Sequence, residues 1–162
     1  MASPPALTTL LARLAASGAD FVLVGGLAAV AQGAPLTTVD VDVVRRRDPE
    51  NVARLLAFLG EIDGRYRGRP AGQLLRPEAG PLLGPGHHLL STTLGPLDLL
   101  GAIEGGRDYP ALRPSAVEIR VEGQPVLVVD LRTLVELKRD ATAPKDRLTL
   151  AVLEETLRRR DS

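Results

Sequence analysis

Two carboxylates separated by one valine, Asp40-Val41-Asp42, are the residues of this chain best placed to do chemistry. In an extended segment, residues i and i+2 point to one face and stand about 7 Å apart along the backbone. Val39, Val41 and Val43 fall on the opposite face of the strand expected over residues 37–44. Two like charges on one face of an otherwise apolar strand repel, and each raises the proton affinity of the other unless cations neutralise them. Hard oxygen ligands of this kind suit Mg2+ or Mn2+. Asp98 lies in the apolar run Leu97-Asp98-Leu99-Leu100 and supplies a third carboxylate if its strand pairs beside the first. Two cations held about 4 Å apart by such a cluster activate an attacking hydroxyl and stabilise a leaving pyrophosphate. Upstream, Gly25-Gly26 closes the short apolar run 21–24. A turn without Cβ atoms lets backbone N–H groups approach a triphosphate.

These residues need elements to hold them. Leu7, Leu10, Leu11 and Leu14 form a stripe at helical spacing, with Ser3 and Pro4 suited to start the helix and Gly18 to end it. The run 21–24 reads as a strand, 27–32 as a short helix closed by Gly33 and Pro35, and Asp48-Pro49 as the start of a helix burying Val52, Leu55, Leu56 and Leu59. Residues 60–86, rich in Gly, Pro and Arg, read either as loops with at most short strands, of the kind that often border a functional site, or as a disordered insertion. The segments 87–93 and 97–103 read as strands joined at Gly95-Pro96, and 116–121 and 126–129 as a hairpin around Glu122-Gly123. Asp130 caps a helix carrying Leu131, Leu134, Val135 and Leu137; Pro144 interrupts it, and a last helix carries Leu150, Leu153 and Leu157.

Composition excludes several classes. The 162 residues suit one domain of ordinary size. With no Cys, disulfides, thiolate zinc sites and cysteine nucleophiles are absent. Aromatics are 2% of the chain, too few for base-stacking platforms. Twenty basic residues balance twenty acidic ones, which argues against a dedicated nucleic-acid coat. The apolar run 21–36 is too short to span a membrane, and no targeting segment is recognisable, so a cytosolic (cytoplasmic) location is expected. No Gly-Lys-Ser/Thr follows the glycines, which removes a P-loop. His87 and His88 are adjacent and would face opposite sides of a strand, so they do not share one ion. Arg45-Arg46-Arg47 could touch phosphate or RNA but reads first as a solvated strand end.

Gly25-Gly26, thirteen residues, then Asp40-Val41-Asp42 resembles the glycine-pair and Asp-x-Asp pattern of the polymerase-β-type nucleotidyltransferase superfamily. The runs Phe21-Val22-Leu23-Val24-Gly25-Gly26 and Thr37-Thr38-Val39-Asp40-Val41-Asp42 are similar to its minimal bacterial branch, which includes toxins of the AbiEii type. Leu97-Asp98-Leu99-Leu100-Gly101 looks like the third-carboxylate strand, and Leu134 to Lys138 with Pro144-Lys145-Asp146 like the helical tail of these proteins. The resemblance implies an α/β (α+β) fold with a mixed, mostly antiparallel sheet and flanking helices, occupying residues 1–162 as one unit with a helical tail over about 130–160. It implies transfer of a nucleoside monophosphate from a nucleoside triphosphate such as ATP to a hydroxyl of a tRNA end, a protein or a small molecule. Asp40, Asp42 and Asp98 would bind the metals, Asp98 would also be the base, and Gly25, Gly26 and Thr38 would face the nucleotide. Lys138 either reaches inward towards phosphate or snorkels to solvent. Gln32-Gly33 stands where relatives often have His-Gly, and Leu36 where they often have a basic residue. Leu36 and the absence of a recognisable acceptor-binding domain motivate an alternative: a catalytically weak or inactive, nucleotide- or partner-binding member of a toxin–antitoxin or defence pair.

Overall fold

A core built almost entirely from Leu, Val and Ala closes around a seven-stranded sheet. The computed structural model describes residues 6–70, 74–139 and 144–162. Helix α1 (Leu7–Ala16) leads into β1 (Phe21–Val24), α2 (Gly25–Ala31), β2 (Val41–Arg45) and α3 (Pro49–Glu61). Then come β3 (Arg65–Tyr66), α4 (Ala79–Leu83), β4 (His88–Thr92) and β5 (Gly95–Leu100). The chain continues through β6 (Ala102–Ile103), β7 (Arg107–Asp108), α5 (Tyr109–Leu112), β8 (Val117–Val121) and β9 (Gln124–Val128), and ends in α6 (Leu131–Arg139) and α7 (Pro144–Asp161). Ser3 and Pro4, expected to start α1, lie outside the described residues.

The sheet runs β3-β4-β5-β2-β1-β9-β8, while β6 and β7 form a separate pair. Neighbours β1–β2, β3–β4, β4–β5 and β8–β9 are antiparallel; β1–β9 and β2–β5 are parallel. All four residues of β1 are buried, so both faces of the sheet centre are covered. Helix α1 packs on β9, β2 and β8, and α2 on β1 and β2. No helix among the described residues is long and apolar enough to cross a membrane.

Several expectations shift in detail. The strand read over 37–44 begins only at Val41. Its neighbour β1 stops at Val24, where Gly25 turns the chain with φ +71, and on the other side Pro96 has no N–H to offer. Asp40 therefore sits in the bend before β2, and Val39 is 66% exposed rather than packed with Val41 and Val43. The turn read at Gly95-Pro96 falls at Thr93-Leu94, and both Gly95 and Pro96 belong to β5.

Helix α3 starts as its sequence dictates: the Asp48 side chain accepts from Asn51 N–H, and Pro49 fills the first turn. The buried Asn51 amide then accepts from Asp20 N–H and donates to the Asp20 and Arg46 carbonyls, which ties the helix start to the Asp20–Arg46 end of the β1–β2 pair.

The basic triplet is not a solvated strand end. Arg46 does pair with Asp20 and Asp48 at the surface. Arg45, however, is fully buried, and its guanidinium donates to the carbonyls of Leu82, Leu99, Gly84 and Gly86. It fastens α4 and the segment after it to the sheet. His88 is buried in the same region, 2.6 Å from the Tyr66 hydroxyl through Nδ1 and 3.1 Å from the Pro81 carbonyl through Nε2. Burial lowers its proton affinity, in keeping with a neutral ring that donates to the carbonyl and accepts from the phenol.

Candidate metal centre

The parallel pairing of β2 with β5 sets Asp42 directly beside Asp98. Asp40, one residue ahead of β2, turns towards the same place. One carboxylate oxygen from each of Asp40, Asp42 and Asp98 lies within 4.8 Å of the others. Asp98 is only 9% exposed, and the Oδ1 atom of Asp42 is buried with no hydrogen-bond partner. A buried acceptor without a donor costs on the order of 1–3 kcal/mol, more when charged. Orphaned oxygens among converging carboxylates are what a hard divalent cation repairs, and an all-oxygen donor set fits Mg2+ or Mn2+.

Electrostatics point the same way. Burial, contact with the Asp98 carboxyl and repulsion from Asp40 and Asp98 push Asp42 up to about 7. Asp40 is raised by burial first and by Asp98 second. In a metal-free protein the folded state therefore holds a proton on Asp42 that the unfolded chain releases near pH 4. The sign follows from linkage: this stabilisation is fully present below about pH 4 and is lost as pH rises through about 7. Asp42→Asn mimics the protonated side chain at every pH. In EDTA the variant should match the parent near pH 4 and become progressively more stable than it as pH rises through about 7. Urea midpoints across that range measure it; a difference that does not grow with pH would contradict the geometry.

Both glycines of the pair are explained by close approach. A Cβ on Gly25 would stand 2.5 Å from Asp42 Oδ2, and the residue's φ of +71 disfavours any L side chain. A Cβ on Gly26 would meet Thr38 Oγ1 at 3.3 Å, and that hydroxyl in turn donates to the Asp40 carbonyl. Gly25, Gly26 and Thr38 thus sit against the acidic residues and make room for them. Gly25→Ala should cost roughly 1–3 kcal/mol. It should also displace Asp42 and abolish any Mn2+-induced rise in Tm. Thermal melts with MnCl2 and with EDTA test this, and a full Mn2+ shift in the variant would refute it.

One partner of the cluster comes from the stretch that sequence alone reads as loop. Arg67, just past β3, donates through one nitrogen to Asp98 Oδ1 at 2.6 Å and through the other to the Leu90 carbonyl at 2.6 Å. Its charge opposes the raised proton affinity of both Asp40 and Asp42. Nothing local marks Arg67 among its neighbours Arg65, Arg69 and Arg76; only the pairing of β3 with β4, and of β4 with β5, carries it to Asp98. Arg65 and Arg76 are both taken up by Asp63. Lys138, the other cation singled out from the sequence, is half-buried on α6 with its ammonium 3.1 Å from Asp146 of α7. Gln32 accepts from Leu131 N–H and donates to the Ala28 and Val129 carbonyls.

Known proteins are similar to this chain in fold. No family model matches the chain, and no curated protein sequence matches it. Among solved structures, it is similar to the antibiotic-resistance factor ANT(2'')-Ia in complex with adenylyl-2''-tobramycin, with a TM-score of 0.57 and 16% identity over 93% of this chain and 88% of that one. A solution structure of ANT(2'')-Ia gives a TM-score of 0.53 at 16% identity over 93% and 83% of the two chains. A candidate nucleotidyltransferase from Thermotoga maritima gives 0.50 at 15% identity over 94% and 89%. The chain has the nucleotidyltransferase fold, with an acidic triad on the adjacent strands β2 and β5 and in the bend before β2.

Proposed function

We propose that this protein is a metal-dependent nucleotidyltransferase, moving a nucleoside monophosphate from a nucleoside triphosphate to a hydroxyl acceptor. The observation that supports it most is the convergence of Asp40, Asp42 and Asp98 around a buried, unpartnered Asp42 Oδ1. Asp40, Asp42 and Asp98 would hold Mg2+ or Mn2+, whose charge would neutralise the attacking and leaving oxygens. The chain supplies the rest. The nearly buried Asp98 carboxylate takes the proton of the acceptor hydroxyl. Asp42, paired with Asp98 across the β2–β5 ladder, would keep the two carboxylates at a fixed separation. Gly25 and Gly26 present backbone rather than side chain towards the triphosphate, with Thr38 alongside. The site as proposed does not draw on Lys138, which Asp146 engages.

The acceptor is tested as three classes: a tRNA end, a protein hydroxyl and a small polyhydroxylated molecule. Aminoglycosides belong in the third class because ANT(2'')-Ia, which shares the fold, was captured with adenylyl-2''-tobramycin. Each nucleoside triphosphate is incubated with each class, and pyrophosphate is measured with and without Mg2+. One pairing should release pyrophosphate only when the cation is present. Tight triphosphate binding with no release across the whole panel would instead favour a nucleotide- or partner-binding role, as in a toxin–antitoxin pair.

A further inference from the structure

Arg67 is the one cation that acts on both Asp40 and Asp42 while bonding Asp98, among the described residues. Its grip is light. It offers Asp98 a single N–H rather than a two-pronged fork, and its second bond goes to a neutral carbonyl. Its side chain is 29% exposed, whereas that of Asp98 is 12% exposed, so the guanidinium can swing out into solvent without leaving itself buried and uncompensated. A positive charge resting on three converging carboxylates stands where a divalent cation's charge belongs, and the two must compete. Lys138, the other cation singled out from the sequence, is engaged by Asp146.

We infer that Arg67 is a displaceable counter-ion: it holds Asp98 in place while the metal is absent, gives way to the cation, and then turns to bind the triphosphate. This inference rests on the transferase reading above and adds to it a phosphate-binding residue that the glycine-pair and Asp-x-Asp motif does not contain. Arginine suits the second task, because its planar fork matches phosphate oxygens.

The experiment titrates Mn2+ into the full chain without nucleotide, reading free Mn2+ by electron paramagnetic resonance. Arg67→Met, which keeps the apolar stem and removes the charge, should bind Mn2+ about tenfold more tightly than the parent. At saturating Mn2+, the α,β-methylene analogue of ATP should then bind about tenfold more weakly to Arg67→Met, with part of the loss recovered in Arg67→Lys. Arg67→Gln is measured in parallel and carries the test if the Met variant does not fold. Equal or weaker Mn2+ binding in the uncharged variants overturns the inference and leaves Arg67 as a plain brace on Asp98. Unchanged analogue binding overturns the phosphate half. Asp42→Asn separates the two levels: if it binds Mn2+ as the parent does, the metal reading itself fails and takes this inference with it.

Discussion

Asp42→Asn should cut metal-dependent pyrophosphate release by about a thousandfold or more while leaving the protein folded. The size of the loss follows from where the residue sits. Asp42 is flanked by Asp40 in sequence and paired with Asp98 across the parallel β2–β5 ladder, so one neutralisation weakens the whole cation site. Its Oδ1 has no protein donor, so removing its charge sacrifices no hydrogen bond at that atom, and Asn fills nearly the same volume. Stability in EDTA should rise at neutral pH, because burial and two neighbouring carboxylates oppose the charge that the substitution removes. Opposite signs on activity and stability distinguish a metal-binding carboxylate from a structural one. Asp161→Asn, which touches only exposed ion pairs with Arg132 and Arg160, is the control and should change neither by more than a small amount. An Asp42→Asn protein that keeps its transfer rate would end the metal mechanism; one that loses both rate and fold would make Asp42 structural.

Arg45→Met should be the most destabilising single change outside the apolar core, costing on the order of 3–5 kcal/mol. Arg45 is fully buried and donates to four carbonyls, those of Leu82, Gly84, Gly86 and Leu99. These bonds tie α4 and the segment following it to β2 and β5. A methionine fills much of the space but leaves those carbonyls without the donor that Arg45 supplies. Burial, with the Arg47 charge second, lowers Arg45 to about 10, so it remains charged at neutral pH and the carbonyl dipoles must carry its compensation. Arg45→Lys keeps the charge, loses the spread of donors and should lie between the parent and the Met variant. Chemical denaturation reads the ranking. Parent-like stability for Arg45→Met would mean that the carbonyls find other donors.

The acidic residues that converge in the fold are largely legible in the chain. Asp40-Val41-Asp42, the glycine pair ahead of it and the lone acid in Leu97-Asp98-Leu99 are local patterns, and each carries its meaning in residue type and spacing. Alternation marks a strand because a pleat sends successive side chains to opposite faces, and capping residues mark helix starts because the first N–H groups need acceptors. The amphipathic helices α1 and α3 and the hairpin β8–β9 are readable for these reasons. What the sequence by itself does not determine is everything that depends on a partner distant in the chain. The same charge that belongs at the surface in Arg46 is buried in Arg45, because only the folded chain brings four carbonyls around that side chain. Asp98 becomes a neighbour of Asp42 only through the parallel register of β2 and β5, and Arg67 meets Asp98 only because β3 adds to the sheet edge beyond β4. Local patterns report a residue's preferences; the ladder of long-range hydrogen bonds decides which charges meet, and in this protein that decision sets the acidic triad and its counter-ion.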